Sequence, residues 1–156
     1  MKTNIGISEK NRQATALELN KVLANEFVLY AKTRNYHWNI EGPNFMELHK
    51  FYESQYEQLD DIIDEVAERV RSIGHYAEAR LKDYLKLASL TENEYTPGQK
   101  EQLSNLLSDH ETIIQQLRKL ITDFADKYND AGNSDFVTGL MEQHEKMAWF
   151  IRSYLK

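Results

Sequence analysis

The chain has 156 residues, enough for one domain built around one core. Its balance of 41% hydrophobic and 28% charged residues is that of a globular protein and excludes a disordered or membrane-embedded chain. A net charge of −6 argues against a general nucleic-acid binder, and the lack of cysteine excludes disulfides and thiolate metal sites. No apolar run approaches the ~20 residues of a membrane span, and the N-terminus has no apolar signal-like stretch. The expected compartment is the cytoplasm, which a chain without cysteine suits.

Taken in order, the first helix is capped by Ser8 and carries Leu17, Leu19, Leu23, Phe27, Tyr30 and Ala31 at helical steps. It ends near Trp38, before the turn "IEGPN". Asn44 and Glu47 form a capping-box pattern for the second helix. Its apolar stripe runs through Leu48, Tyr52, Leu59, Ile63, Val66, Val70 and Ile73, and Gly74 is its stop. "RLKDYLKLAS" reads as a short helix inside a long crossover. Thr96 and Pro97 open the third long helix, whose stripe continues to Phe124. After the polar loop "DKYNDAGNSD", Ser134 or Asp135 begins the last helix. Nothing reads as a strand or a repeat. The expected fold is all-α: two helical hairpins joined by one long connection, a four-helix bundle with a short helix in the crossover between the second and third long helices. It covers 1–156 as a single domain, with 1–8 a flexible N-terminal segment.

The second helix also carries a polar stripe. Glu53 and Asp64 point within ~20° of each other, flanked by His49 and Glu68. On an amphipathic helix such a stripe is most often a solvated face. His49 and Asp64, however, lie ~22 Å apart along one helix, too far to share a metal whose ligands lie within ~2.0–2.6 Å. Two antiparallel copies related by a two-fold axis near Glu57 would place His49 of one chain opposite Asp64 and Glu68 of the other, twice over. His37, at the end of the first helix, falls beside His49 in an antiparallel hairpin. Two imidazoles and two carboxylates make a nitrogen–oxygen site suited to iron, or to zinc as a substitute, with positions left open for water or oxidant.

The stretches "NYHWNIEGPNFMELHKFYE" and "LDDIIDEVAERVRSIG" resemble the Dps family, the mini-ferritins named as DNA-binding proteins from starved cells. The resemblance covers Ala16 to Lys156 and matches His37, His49, Glu53, Asp64 and Glu68 position for position. It implies a ferritin-like bundle in a hollow homododecamer with ferroxidase sites at two-fold interfaces. His37, His49, Asp64 and Glu68 would be catalytic, and these four with Glu53 would bind iron. Iron(II) would be oxidised there, preferably by hydrogen peroxide, and stored as ferric mineral, which protects DNA. Glu53 departs by one methylene from the family's more usual Asp. Trp38 follows the first ligand, where family members often carry tryptophan close to the iron. Its two readings are a redox-active neighbour and an apolar anchor of the dimer interface.

The resemblance also places "DFADKYNDAGNSD" at three-fold pores, where Asp126, Asp130 and Asp135 would form a negative funnel for iron(II). The competing reading is turn and cap chemistry. His75, His110 and His144 are expected at the surface or an interface, and Tyr52, Tyr56 and Trp149 in the core or an interface. A di-iron site inside one bundle would need Glu-x-x-His pairs. None exists, because the residues three before each histidine are Arg34, Met46, Ser72, Leu107 and Met141. The alternative function is a nucleoid-associated DNA-binding structural protein. That needs a basic arm, and the first dozen residues offer only Lys2, Lys10 and Arg12, offset by Glu9. Direct DNA binding is therefore expected to be weak or absent.

Overall fold

The computed structural model describes residues 3–156. Its elements are α1 (Glu9–Asn39), α2 (Phe45–Ser72), α3 (Leu81–Leu87), α4 (Gln99–Thr122), a π-helical turn (Asp123–Lys127) and α5 (Ala131–Tyr154). Among the described residues there is no strand. α1 pairs with α2 and α4 with α5, while α3 lies in the crossover against α1. No described helix is long and apolar enough to cross a membrane.

The stripes read from the sequence close on one core. Leu19, Leu23 and Leu29 of α1 meet Tyr52, Leu59, Ile62 and Val66 of α2, with Leu106, Ile113 and Leu117 of α4 and Val137, Leu140 and Ile151 of α5, all essentially solvent-free. α1 is less one-sided than the others because it also supports the crossover. Asn20 Nδ2 donates to the Tyr76 carbonyl at 3.2 Å and its Oδ1 accepts from Glu78 N–H at 2.9 Å. Asn25 Oδ1 accepts from Ser89 and Leu90 N–H at 2.8 and 3.2 Å, and Lys32 Nζ donates to the Thr91 carbonyl at 2.9 Å. These buried polar groups serve backbone that has no helix or ladder of its own.

The helix ends follow the expected chemistry in part. Ser8 accepts from Asn11 N–H at 3.2 Å and caps α1. Gly74, at φ +92°, stops α2: its N–H reaches the Arg71 carbonyl, and His75 N–H the Val70 carbonyl, at 3.0 and 3.2 Å. Asn44 precedes α2 but makes no side-chain cap. Its amide instead donates to Gln99 Oε1 at 3.2 Å, and Glu47 accepts from the Tyr154 hydroxyl at 3.0 Å. α4 starts later than expected, because Thr96 closes a local turn by accepting from Gly98 N–H at 3.2 Å. α5 starts earlier than expected, at Ala131. Asn129 takes φ +52°, and Asp130 then caps by accepting from Asn133 N–H at 3.0 Å. Ser134 instead ties the two helices together by donating to the Ile121 carbonyl at 2.8 Å. Of the N-terminal segment, residues 1 and 2 lie outside the described residues. Thr3 sits where a Cβ on Gly74 would go, beside the Arg12 guanidinium.

Candidate metal centre

His37 belongs to the last turn of α1, where helix carbonyls lack intrahelical partners. The hairpin brings it against His49, and the two residues lock each other. His37 Nδ1–H donates to the His49 carbonyl and His49 Nδ1–H to the His37 carbonyl, each at 2.7 Å. The rings stack with centroids 3.7 Å apart. A carbonyl only accepts, so both Nδ1 atoms carry the proton. Each neutral ring therefore keeps its lone pair on Nε2, the tautomer a metal ligand needs. Phe45 also stacks on His49, at 5.1 Å, and Tyr56 packs against His37 in a T-shaped arrangement at 5.2 Å. His37 is buried and His49 half-buried, so the pair is preorganised and close to the surface.

Glu53, one turn beyond His49, is half-buried and accepts from the Tyr56 hydroxyl at 3.4 Å. Asp64 and Glu68 lie farther along α2 and are exposed. Among the described residues of one chain, no three His, Asp or Glu side chains gather around a point that could hold a metal. The chain thus unites His37 with His49, keeps Glu53 near, and leaves Asp64 and Glu68 apart, at ~22 Å along the helix for Asp64.

Trp38 is 64% exposed. The aromatic ring against His37 within the chain is that of Tyr56, not the indole. Arg34 links the two rings, its guanidinium carbon 4.3 Å from the Tyr56 centroid and 5.0 Å from that of Trp38. Of the three pore candidates, Asp126 and Asp135 are exposed. Asp130 is buried: besides capping α5, its Oδ2 accepts from Asn133 Nδ2 at 2.6 Å, and Asn133 Oδ1 accepts from Arg69 Nε at 2.7 Å.

Two of the remaining histidines are not where they were expected. His110 and His144 are buried in the bundle with Glu26. His144 Nε2 lies 2.9 Å from Glu26 Oε1, and His144 Nδ1 lies 2.9 Å from His110 Nδ1. When His144 Nε2–H donates to Glu26 Oε1, the His144 Nδ1 lone pair is left to accept from His110 Nδ1–H. Burial, then the nearby His144, holds His110 well below the ordinary imidazole value of 6.5. The signal was present in the sequence. His110 falls in the step Leu103, Leu106, His110, Ile113, Leu117, and His144 in Val137, Leu140, His144, Met147, Ile151. His75 is half-buried, its Nε2 3.6 Å from Glu9 Oε1.

Comparison with known proteins adds relationship to this geometry. A family model described as a ferritin-like domain matches residues 16–156. The chain is 35% identical to the DNA protection during starvation protein of Brevibacillus brevis over 156 residues, covering 100% of each. It is 41% identical over 154 residues to an uncharacterized low temperature-induced protein of Nostoc sp., covering 98% of this chain and 86% of that one. A Dps protein of Vibrio cholerae O1, described as a member of a broad superfamily of ferritin-like diiron-carboxylate proteins, superposes with a TM-score of 0.93 at 32% identity, covering 100% of this chain and 98% of that one.

Proposed function

The chain belongs to the Dps family of ferritin-like proteins, and from that premise we propose that it oxidises iron(II) at sites shared between subunits and stores the product. His37 and His49 of one chain supply two Nε2 lone pairs. Asp64 and Glu68 of a second copy, across a two-fold axis, supply carboxylate oxygens, with Glu53 as a further ligand to iron. The observation that carries this reading is the reciprocal imidazole–carbonyl lock, which sets both rings in the ligating tautomer while the carboxylates sit beyond reach on the same helix. Zinc fits the same donors and would act as a competitor.

Iron(II) and hydrogen peroxide are the substrates. Oxidising two irons with one peroxide consumes both oxidising equivalents and releases no hydroxyl radical. The ferric product collects inside a closed homo-oligomer, a dodecamer on this reading, and exposed Asp126 and Asp135 would line the path for iron. Trp38, next in the chain to His37, is the redox-active neighbour, with the Arg34 guanidinium between its ring and that of Tyr56. DNA is protected by chemistry rather than coverage, in keeping with the net charge of −6. The protein would work in the cytoplasm, in some cases beside the nucleoid.

The test follows iron(II) oxidation, plasmid nicking and plasmid mobility on the same samples, with peroxide or dioxygen as oxidant. The parent should oxidise iron faster with peroxide and prevent nicking without shifting the plasmid at moderate salt. Asp64→Ala/Glu68→Ala should lose both effects. Equal protection by that variant, or protection only where the plasmid is shifted, would favour the DNA-coating alternative.

A further inference from the structure

One guanidinium lies among three aromatic rings beside the candidate metal centre. The Arg34 carbon sits 4.3 Å from the Tyr56 centroid, 5.0 Å from Trp38 and 5.7 Å from Tyr30. Among the described residues no ion pair engages it. Tyr56 in turn touches the His37 ring at 5.2 Å and meets the Tyr30 ring edge-on at 6.1 Å. The rings through which an electron would reach the site are therefore those facing this cation.

We infer that Arg34 is a tuning residue that resists electron loss from Trp38 and Tyr56, so that oxidising equivalents stay on iron. A cation is attracted to the electron-rich face of a neutral ring. Removing one electron makes the ring a radical cation, and the attraction becomes repulsion. Arg34 thus stabilises the reduced rings and destabilises the oxidised ones. Its purpose rests on the ferroxidase reading: a site handling peroxide beside unprotected rings would consume its own side chains. Trp38 then gives up an electron only to an oxidant strong enough to overcome the cation. Such an oxidant is a hydroxyl radical from peroxide reduced by a single iron(II). The radical takes one electron to become hydroxide, and the indole radical cation loses its N–H proton to water.

The test needs no iron. Assembled parent, Arg34→Gln and Arg34→Lys proteins are exposed at high salt to a photogenerated ruthenium(III) polypyridyl complex, which accepts one electron to become ruthenium(II). Oxidation at Trp38, Tyr56 and Trp149 is quantified by peptide mass spectrometry. Acrylamide quenching corrects for changes in access. Trp149 stacks on Phe150 at 4.8 Å and is the internal reference. Arg34→Gln should raise oxidation at Trp38 relative to Trp149 by about two- to five-fold, the equivalent of an exposed cation–π contact. Arg34→Lys should stay near the parent. Arg34→Met repeats the neutral case if the Gln variant does not assemble. Equal Trp38-to-Trp149 ratios in parent and neutral variants would overturn the inference, as would a Lys variant oxidised as readily as the neutral ones. Without iron in the assay, either result leaves the ferroxidase reading to its own test.

Discussion

Replacing His144 by Leu should be among the most damaging single changes in the bundle. Glu26 is fully buried on α1, and its Oε1 is held by His144 Nε2 at 2.9 Å. Among the described residues its Oε2 has no partner. Leucine nearly fills the space of the imidazole but offers no donor, so both carboxylate oxygens would be left bare in an apolar interior. Stripping a buried carboxyl group of its one donor costs about 1–3 kcal/mol or more, a factor of roughly 5 to 150 in the folded-to-unfolded ratio. His110 would also lose the acceptor for its Nδ1–H. The triple replacement Glu26→Leu/His110→Leu/His144→Leu removes every member of the chain together. It should return to within ~1 kcal/mol of the parent or exceed it, since apolar replacement of a whole buried polar cluster is often neutral or stabilising. Denaturant unfolding at one fixed protein concentration, followed by far-ultraviolet circular dichroism, measures both. A single variant within ~1 kcal/mol of the parent, or a triple variant as weak as the single, would show that His144 is not the donor on which buried Glu26 depends.

The same cluster predicts an acid limb of stability. His110 binds its proton less readily folded than unfolded, so below about pH 6.5 the unfolded chain takes up more protons and stability falls as pH drops, by at most ~1.4 kcal/mol per pH unit for this group. His110→Gln should flatten that limb; an unchanged slope would place its origin elsewhere. Asp126→Asn/Asp135→Asn should slow iron uptake at low salt and lose that effect as salt rises, and salt-independent uptake rates equal to the parent's would remove both residues from the path. Asp130→Ala, by contrast, should cost ~0.5–2 kcal/mol of stability through loss of the α5 cap, visible in the same denaturant titration and insensitive to salt.

The two hairpins and the crossover helix were legible because apolar residues recur at helical steps and because Ser8 and Gly74 mark their ends with unambiguous chemistry. The starts of α4 and α5 were not. Each lies in a run of competing capping residues, and only the backbone decides: Thr96 closes its own turn, while the left-handed Asn129 hands the cap to Asp130. The pairing of His37 with His49 was readable from the hairpin itself. Their mutual hydrogen bonds were not, since these run to carbonyls and leave no side-chain signature. His110 and His144 lie in the core rather than at the surface because both keep step with the buried leucines, and position on the helix outweighs residue type. Around Arg34, Tyr30 and Trp38 stand one turn away on either side and share its helix face, whereas Tyr56 comes from α2 and only the fold brings it there.

The central claim is that each iron site takes its histidines from one subunit and its carboxylates from another. Shells reassembled from His37→Ala/His49→Ala chains and Asp64→Ala/Glu68→Ala chains test it most directly. Neither parent variant should oxidise iron(II) at the site. In a mixed two-fold pair, one of the two sites receives two histidines from one chain and both carboxylates from the other, while its mate receives none of these four. Peroxide-dependent iron(II) oxidation should therefore reappear in verified mixed shells and rise with the fraction of mixed pairs. Mixed shells as inactive as the two separate variants would contradict a site built across the subunit boundary.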